Sequence, residues 1–311
     1  VAARCWPAWL ALAAALLWSL ASCFLTRPLR APSAAWRARG PALRAAPRPA
    51  GAVGSWALPA ASSGAGVAAG GGSAEAGAEE TDWHDLRFRG VSLLFGAEAL
   101  ARLQGARAAV LGIGGVGSWV VEGLARSGLG GLTLVDLDDV CVSNTNRQLH
   151  ALAGTVGRPK VDVMAERVAQ INPECEVDTV HDFFAQETAD SILGRHAYDV
   201  VVDAIDGVSE KCRLIDGCRR RGIPIVVSGG LGGKADPTRF READITRAEG
   251  DGLLRRVRNK LRAHYGYPAG DGYPPRRKWG LPCVFSPEPP RFVPPGGGGA
   301  APAAAEAAKD D

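Results

Sequence analysis

No two of this chain's cysteines stand close enough in sequence to form a metal-binding pair. The seven, at positions 5, 23, 141, 175, 212, 218 and 283 of 311 residues, include no C-x-x-C pair. That argues against structural zinc and, in a chain this long, against a disulfide framework, so a reducing compartment is expected. Acidic residues are missing from residues 1–74, which carry seven Arg and no Lys. Residues 75–311 therefore hold 29 basic and 33 acidic side chains, a balance of −4 beneath the overall +3. The basic character belongs to the N-terminal stretch, and total charge makes no case for a broad nucleic-acid footprint.

The 40 Gly and 21 Pro gather toward the ends. They divide the chain into a leader and linker over 1–80, a folded core over 81–288 and a low-complexity tail over 289–311. About 200 residues of core are ample for a hydrophobic interior. Ala8 to Leu25 is an uncharged run of 18 residues, a length between a signal-peptide core and a membrane span. Ala21, Ser22 and Cys23 resemble a signal-peptidase site, and Phe24 to Ser73, rich in Ala, Arg, Pro, Ser and Gly, has the composition of a transit peptide. A bipartite leader addressed to a plastid, rather than to a mitochondrion, is the expectation; a membrane anchor through residues 8–25 is the alternative. Since the sequence opens on Val1 and not Met, part of that leader is expected to precede it. Gly64 to Ala78 reads as a flexible linker.

The core is organised around Val110-Leu111-Gly112-Ile113-Gly114-Gly115-Val116-Gly117, followed by Leu134-Val135-Asp136. An apolar strand, a glycine turn, a helix (Ser118 to Arg126) and a second strand make a nucleotide-binding βαβ unit. Gly112, Gly114 and Gly117 have G-x-G-x-x-G spacing, which permits a tight turn, close approach of backbone N–H groups to phosphate, and close helix–strand packing. Asp136 can accept from ribose hydroxyls, with Asp138 beside it. Beyond Asp136 the chain departs from a dinucleotide-binding domain: Asn144, Arg147 and Lys160 gather cationic and polar groups that suit a triphosphate. Asp206 ends the apolar run Val200-Val201-Val202 at the same sheet edge and can hold Mg²⁺. An NAD-dependent oxidoreductase using the same glycine turn remains an alternative.

Further strands are expected at Ala108 to Leu111, Leu132 to Val135, Glu176 to Val180, Asp199 to Ala204, Pro224 to Ser228 and Thr238 to Ile245. Helices are expected at Ala97 to Leu103, Lys160 to Ile171, Gln186 to Leu193, Val208 to Arg221 and Leu253 to His264. In the second of these Val161, Met164, Val168 and Ile171 make one apolar face. The alternation predicts a doubly wound, mostly parallel, Rossmann-like α/β sheet with its site across the carboxyl ends of the strands. His150 and His181 are assigned no role.

Residues 87–286 resemble the ThiF/MoeB/HesA superfamily of ATP-dependent adenylyltransferases. The phrases Gly112 to Trp119, Asp139 to Gln148, Ile171-Asn172-Pro173-Glu174-Cys175 and Cys283-Val284-Phe285-Ser286 most resemble its TcdA branch, the tRNA threonylcarbamoyladenosine dehydratases. The resemblance implies ATP and Mg²⁺ as cofactors and tRNA carrying threonylcarbamoyladenosine as substrate. The modified nucleoside's carboxylate would attack the α-phosphate of ATP, and the activated carboxyl would then cyclise within its own side chain as AMP leaves. Gly112, Gly114, Gly115 and Gly117 would cradle the nucleotide, and Asp136 would hold its ribose. Asn144, Arg147 and Lys160 would bind the phosphates, and Asp206 the metal.

The resemblance also implies a homodimer and a sulfur-relay partner. Relatives place an Arg near the N-terminus that reaches the partner's ATP; the aligned slot here is Gly90, with Arg87 and Arg89 close by. Arg255, Arg256, Arg258, Lys260 and Arg262, followed by Arg276-Arg277-Lys278, form the one concentrated basic region of the core and the expected dock for tRNA phosphates. Cys283 is a thioester nucleophile if the substrate is instead the C-terminus of a ubiquitin-like or sulfur-carrier protein; a buried or substrate-lining cysteine is the favoured reading. Past Pro287, where relatives continue through a folded segment and an apolar helix, this sequence turns Pro/Gly/Ala-rich.

Overall fold

Strands buried on both faces need apolar side chains at every position, and this sequence supplies several such runs. In the computed structural model, which describes residues 83–268 and 277–291, they become β1 (Arg107–Leu111), β2 (Gly131–Val135), β4 (Val200–Asp203) and β5 (Ile225–Ser228). With β3 (Glu176–Val180), β6 (Arg241–Asp244) and β7 (Pro282–Phe285) they form a seven-stranded sheet in the order β3-β2-β1-β4-β5-β7-β6. All neighbours run parallel except β6, which pairs antiparallel to β7.

Seven helices complete the described fold: α1 (Trp83–Phe95), α2 (Ala97–Gly105), α3 (Gly117–Arg126), α4 (Lys160–Ile171), α5 (Ala189–Leu193), α6 (Val208–Arg221) and α7 (Gly252–His264). Alternate strand residues serve the two faces. Ala108 and Val110 pack with Val120, Val121, Met164 and Val168 of α3 and α4. Ala109 and Leu111 pack with Leu214, Ile215, Val257 and Leu261 of α6 and α7. β1 pairs with β2 on one side and β4 on the other, and that reversal of strand order opens a crevice at the strand ends.

The doubly wound, mostly parallel sheet is as expected, and three local differences have physical reasons. The helix expected from Gln186 starts at Ala189, because the Thr188 hydroxyl accepts from Ala185 N at 2.9 Å and donates to Phe183 O at 2.6 Å, closing a turn in its place. The strand expected over Thr238 to Ile245 is trimmed to β6 by 3₁₀ turns on either side, whose entry residues Asp236 and Asp244 accept from Thr238 N and Thr246 N. β7 was not expected: it has four residues and joins β5 across some fifty positions of chain. Packing continues past residue 288, since Arg291 N donates to Gly233 O at 2.8 Å. The leader, the linker, the run 8–25 and most of the expected tail lie outside the described residues. Among the described residues no helix is long and apolar enough to cross a membrane.

Candidate active site

The glycine turn is built by exclusion of side chains. Gly112 has φ +87, and a Cβ there would stand 2.7 Å from Ala204 O at the end of β4. A Cβ on Gly117 would stand 1.8 Å from Gly112 O, so α3 can begin only if this position is bare. Gly114 and Gly115 line the cleft and Gly117 does not. Gly117, expected among the cradling glycines, lets α3 pack onto the turn.

Between those glycines, Ile113 is gripped by its own backbone groups. Its N–H donates to Asp136 Oδ2 at 2.6 Å, and its carbonyl meets His150 Nε2 at 2.7 Å. Burial depresses the His150 pKa, so the ring is neutral and donates to that carbonyl. The other oxygen of Asp136 accepts from Asp138 N at 2.9 Å. Each carboxylate oxygen retains a lone pair, so the ribose role expected of Asp136 would be added to a structural one.

The crossover after β2 brings the expected polar residues to the cleft. Asn144 caps its own 3₁₀ turn (Val142–Asn144) by accepting from Cys141 N at 3.0 Å. Arg147 lays its stem on Gly115, where a Cβ would lie 3.3 Å from its Cγ, and its Nη1 donates to Ser143 O and Asn146 Oδ1 at 3.0 and 2.9 Å. Lys160 is buried at the first position of α4. Its ammonium donates to Asp138 Oδ2 at 2.6 Å and lies 4.0 Å from Asp136 Oδ1. In this arrangement Asp138 is a counter-ion for Lys160, a relation that sequence spacing did not reveal.

The opposite wall follows β4 and β5. Asp206 is exposed to the cleft, with Glu210 one helical turn further on, also lining it. Beneath them Asp203 and Lys211 form a fully buried ion pair at 2.9 Å, and Asp203 Oδ1 accepts from Ile205 N at 3.2 Å. Burial pushes the Asp203 carboxyl up and the attraction of Lys211 opposes it. The Gly229–Gly233 loop is held from behind: Asp251 Oδ2 accepts from Gly230 N at 2.8 Å while Oδ1 caps α7 at Leu254 N. Lys234 donates to Gly250 O and Ser286 O at 3.2 and 3.1 Å and to Glu288 O, and Glu288 Oε2 accepts from Ala235 N and Asp236 N, each at 2.9 Å.

The two walls enclose a cleft of about 880 Å³. Arg147, Lys160 and Asp206, with Gly112, Gly114, Gly115, Asp136, Asp138 and Asn144, all line it. Phe183, more than half exposed, and Leu253 also face it. Glu210, the Asp203–Lys211 pair and the Lys234–Glu288 latch were not foreseen. One signal for Lys211 was available: it shares a helical face with Leu214, Ile215 and Cys218, where an unpaired cation does not belong.

Other expected sites come out differently. Cys283 is fully buried in the core under α7, and burial drives its thiol pKa well above the usual range, so it is a packing residue and not a nucleophile. The basic helix is only partly free. Arg258 donates to Ile245 O and Ala248 O at 3.0 and 2.8 Å, Lys260 donates to Ser209 Oγ at 2.7 Å, and Arg262 stacks 5.3 Å from the centre of the Trp279 ring. Of its Arg and Lys side chains, Arg255 and Arg256 are the exposed ones; Arg277 and Lys278 are exposed too, and Arg276 lies outside the described residues. His181 pairs with Asp162 at 2.8 Å and does not itself line the cleft. Among the described residues no three His, Cys, Asp or Glu side chains group as a metal cage.

A mostly parallel sheet whose switch-point cleft joins a bare glycine turn to an acid after the second strand and to Arg147 and Lys160 defines a nucleotide-binding α/β protein of adenylating type. Residues 89–263 match the ThiF family, and the chain belongs to it. It is 48% identical over 208 residues to the tRNA threonylcarbamoyladenosine dehydratase of Haemophilus influenzae, covering 67% of this chain and 78% of the relative. The enzyme of that name from Escherichia coli is 46% identical, over 65% of this chain and 74% of the relative. The crystal structure of E. coli tRNA N6-threonylcarbamoyladenosine dehydratase with ATP superposes with a TM-score of 0.65 at 45% identity, over 70% of this chain and 86% of that one. Its complex with AMP gives 0.66 at 44%, over 71% and 88%.

Proposed function

We propose that this chain uses ATP to remove one water from threonylcarbamoyladenosine in tRNA, closing the modified side chain into a ring. The observation that carries the reading is the gathering of Arg147, Lys160 and Asp206 with the bare glycine turn in one cleft. A carboxylate oxygen of the substrate attacks the α-phosphorus, the bond to the β-phosphate breaks, and pyrophosphate leaves. A hydrogen-bearing nucleophilic atom of the same side chain then attacks the activated carboxyl carbon and releases its proton to solvent, the bond from that carbon to the AMP oxygen breaks, and AMP departs with the oxygen that counts as the lost water. Little acid–base work is needed from the protein; positioning and charge neutralisation are.

Each role follows from placement. The N–H groups of the turn approach the phosphates where Gly114 and Gly115 leave room, and Asp136 accepts from the ribose. Arg147 keeps guanidinium N–H groups free for phosphate oxygens, with Asn144 beside it. Lys160 exchanges its Asp138 partner for phosphate as the nucleotide enters. Asp206, with Glu210 also lining the cleft, would hold a divalent cation of the Mg²⁺ kind, which takes one or two carboxylates and completes its shell with phosphate oxygens and water. Such an ion would offset charge on the departing pyrophosphate.

Thioester formation at Cys283, a step that would mark a carrier-protein activator, is disfavoured because that thiol is fully buried. The test is to incubate the full chain with ATP and tRNA bearing threonylcarbamoyladenosine and digest to nucleosides. A product lighter by one water is expected, together with AMP, and Arg147→Ala or Asp206→Ala should lower its rate at least a hundredfold. An unchanged nucleoside with the native chain, or full activity in both variants, would overturn the reading.

A further inference from the structure

A second cavity, of about 380 Å³, lies apart from the cleft and is lined by Arg87, Phe88, Arg126, Arg167, Gln170 and Ile171 of α1, α3 and α4. Three guanidinium groups meet there with one carboxylate. Glu122, nearly buried on α3, accepts from Arg126 Nε at 2.7 Å and from Arg167 Nε and Nη2 at 2.5 and 2.9 Å. The attraction shows in both partners: burial would raise the Glu122 pKa, yet its guanidinium bonds hold it below the usual range, and that of Arg167 is raised. With both oxygens of Glu122 engaged, Arg126 keeps Nη1 and Nη2 and Arg167 keeps Nη1 without an acceptor among the described residues. Arg87 is exposed and makes no ion pair or hydrogen bond among them.

The local excess is two positive charges in a concave site, on a chain whose residues 75–311 are net acidic. Planar guanidinium forks that line one hollow match the tetrahedral oxygens of a phosphate, and the partial burial of Arg167 limits screening there, while Arg126 and Arg87 remain exposed to an incoming ligand. Phe88 and Ile171 supply an apolar floor suited to the sugar side of a phosphodiester. The position relative to the cleft is set by the helices. α4 begins at the cleft with Lys160, α3 begins at Gly117 directly after the cleft-lining Val116, and both run back along the sheet. At 1.5 Å per residue, Arg167 lies roughly 10 Å and Arg126 roughly 14 Å from those starts. A few nucleotides of RNA backbone cover that distance.

We propose that this arginine-lined cavity binds a backbone phosphate of the same tRNA whose modified nucleoside enters the cleft, a few nucleotides away. The proposal rests on the tRNA reading. It moves part of the RNA footprint from α7, where Arg258, Lys260 and Arg262 are engaged internally, to the face of α3 and α4.

The test uses Arg87→Glu, Arg87→Gln and Arg126→Gln in the full chain, since Arg87 bonds to no other described residue and Arg126 leaves Arg167 to hold Glu122. Dehydration kinetics and tRNA binding are measured at several salt concentrations, with calorimetric ATP binding as the control. The expected result is a KM for tRNA raised about tenfold in Arg87→Glu and less in Arg87→Gln. Unchanged kcat at saturating tRNA, unchanged ATP affinity and a salt slope smaller by about one should accompany it. A structural role would instead lower the melting temperature and ATP affinity together. Wild-type KM and salt slope in both Arg87 variants would overturn the proposal. So would a variant that loses only its thermal stabilisation by inorganic phosphate, because the site would then take a free anion. If the native chain neither binds nor dehydrates the tRNA, it is the tRNA reading that has failed.

Discussion

The two walls of the cleft are fastened in different ways. On the wall formed after β1 and β2, the polar ties join residues close in sequence: Ile113 to Asp136, Asp138 to Lys160, Ile113 to His150. On the wall formed after β4 and β5, the Gly229–Gly233 loop and its neighbours depend on Asp251, Ser286 and Glu288, the last two more than fifty positions further on. The first wall holds the glycine turn, Arg147 and Lys160, and one stretch of chain between Gly112 and Lys160 builds it. The second holds Asp206 and Glu210, and its loop is fastened by the end of the described chain.

The same substitution should separate the walls most sharply. Gly117→Ala places a Cβ 1.8 Å from Gly112 O, so α3 must shift off the turn. A stability loss at or above ~3 kcal/mol, the upper range for overpacking, and loss of ATP binding are expected, read by urea unfolding and calorimetry. Gly232→Ala, whose Cβ would meet nothing within 4 Å, should stay within ~1 kcal/mol of the native chain. Equal losses in the two variants would abolish the distinction.

Asp136→Asn is the next largest. It keeps the shape but leaves one acceptor oxygen for the N–H groups of Ile113 and Asp138, each bonded to a different carboxylate oxygen. Losing a charge-assisted bond of ~1.5–3 kcal/mol predicts ATP affinity reduced by about tenfold to a hundredfold, measured by calorimetry. Glu288→Ala should do the reverse. Its two orphaned amides, on Ala235 and Asp236, cost ~1–3 kcal/mol of stability and loosen the second wall. The KM for tRNA should then rise severalfold while ATP affinity stays within twofold.

This difference also explains what could be read before the fold was known. The helices Lys160–Ile171 and Val208–Arg221 and the strand Glu176–Val180 have the expected bounds, because each carries its own periodicity and its own stop. The nucleotide wall was legible for the same reason: Gly112, Asp136, Asn144, Arg147 and Lys160 form one phrase of chain. The second wall was not. Nothing local announces that Lys234 will donate to carbonyls at Gly250, Ser286 and Glu288, or that Cys283 sits in a buried strand. Charge could be counted in the basic helix, but whether Arg258 faced solvent or the carbonyls of Ile245 and Ala248 was decided by a 3₁₀ turn that sequence periodicity does not show.

The smallest effect concerns pH, and it divides the walls by window. His150 has its pKa lowered, chiefly by burial, with Lys160 adding to the shift while the Ile113 carbonyl and Asp136 oppose it. As pH falls below the ordinary value of 6.5 the unfolded chain takes up a proton that the folded ring resists. The stability tied to His150 is therefore complete above that value and declines as pH falls through it toward the folded one. Glu288 has its pKa lowered by the N–H groups of Asp236 and Ala235, so its contribution is complete above the ordinary 4.5 and declines as pH falls from there through the folded value beneath it. The first wall should thus soften first on mild acidification and the second last. Denaturant unfolding between pH 8 and 3 checks it: His150→Gln should flatten the slope just below neutrality, and Glu288→Ala the slope in the acid range. Were the two substitutions to flatten the same window, the walls would share one electrostatic network and the comparison would not hold.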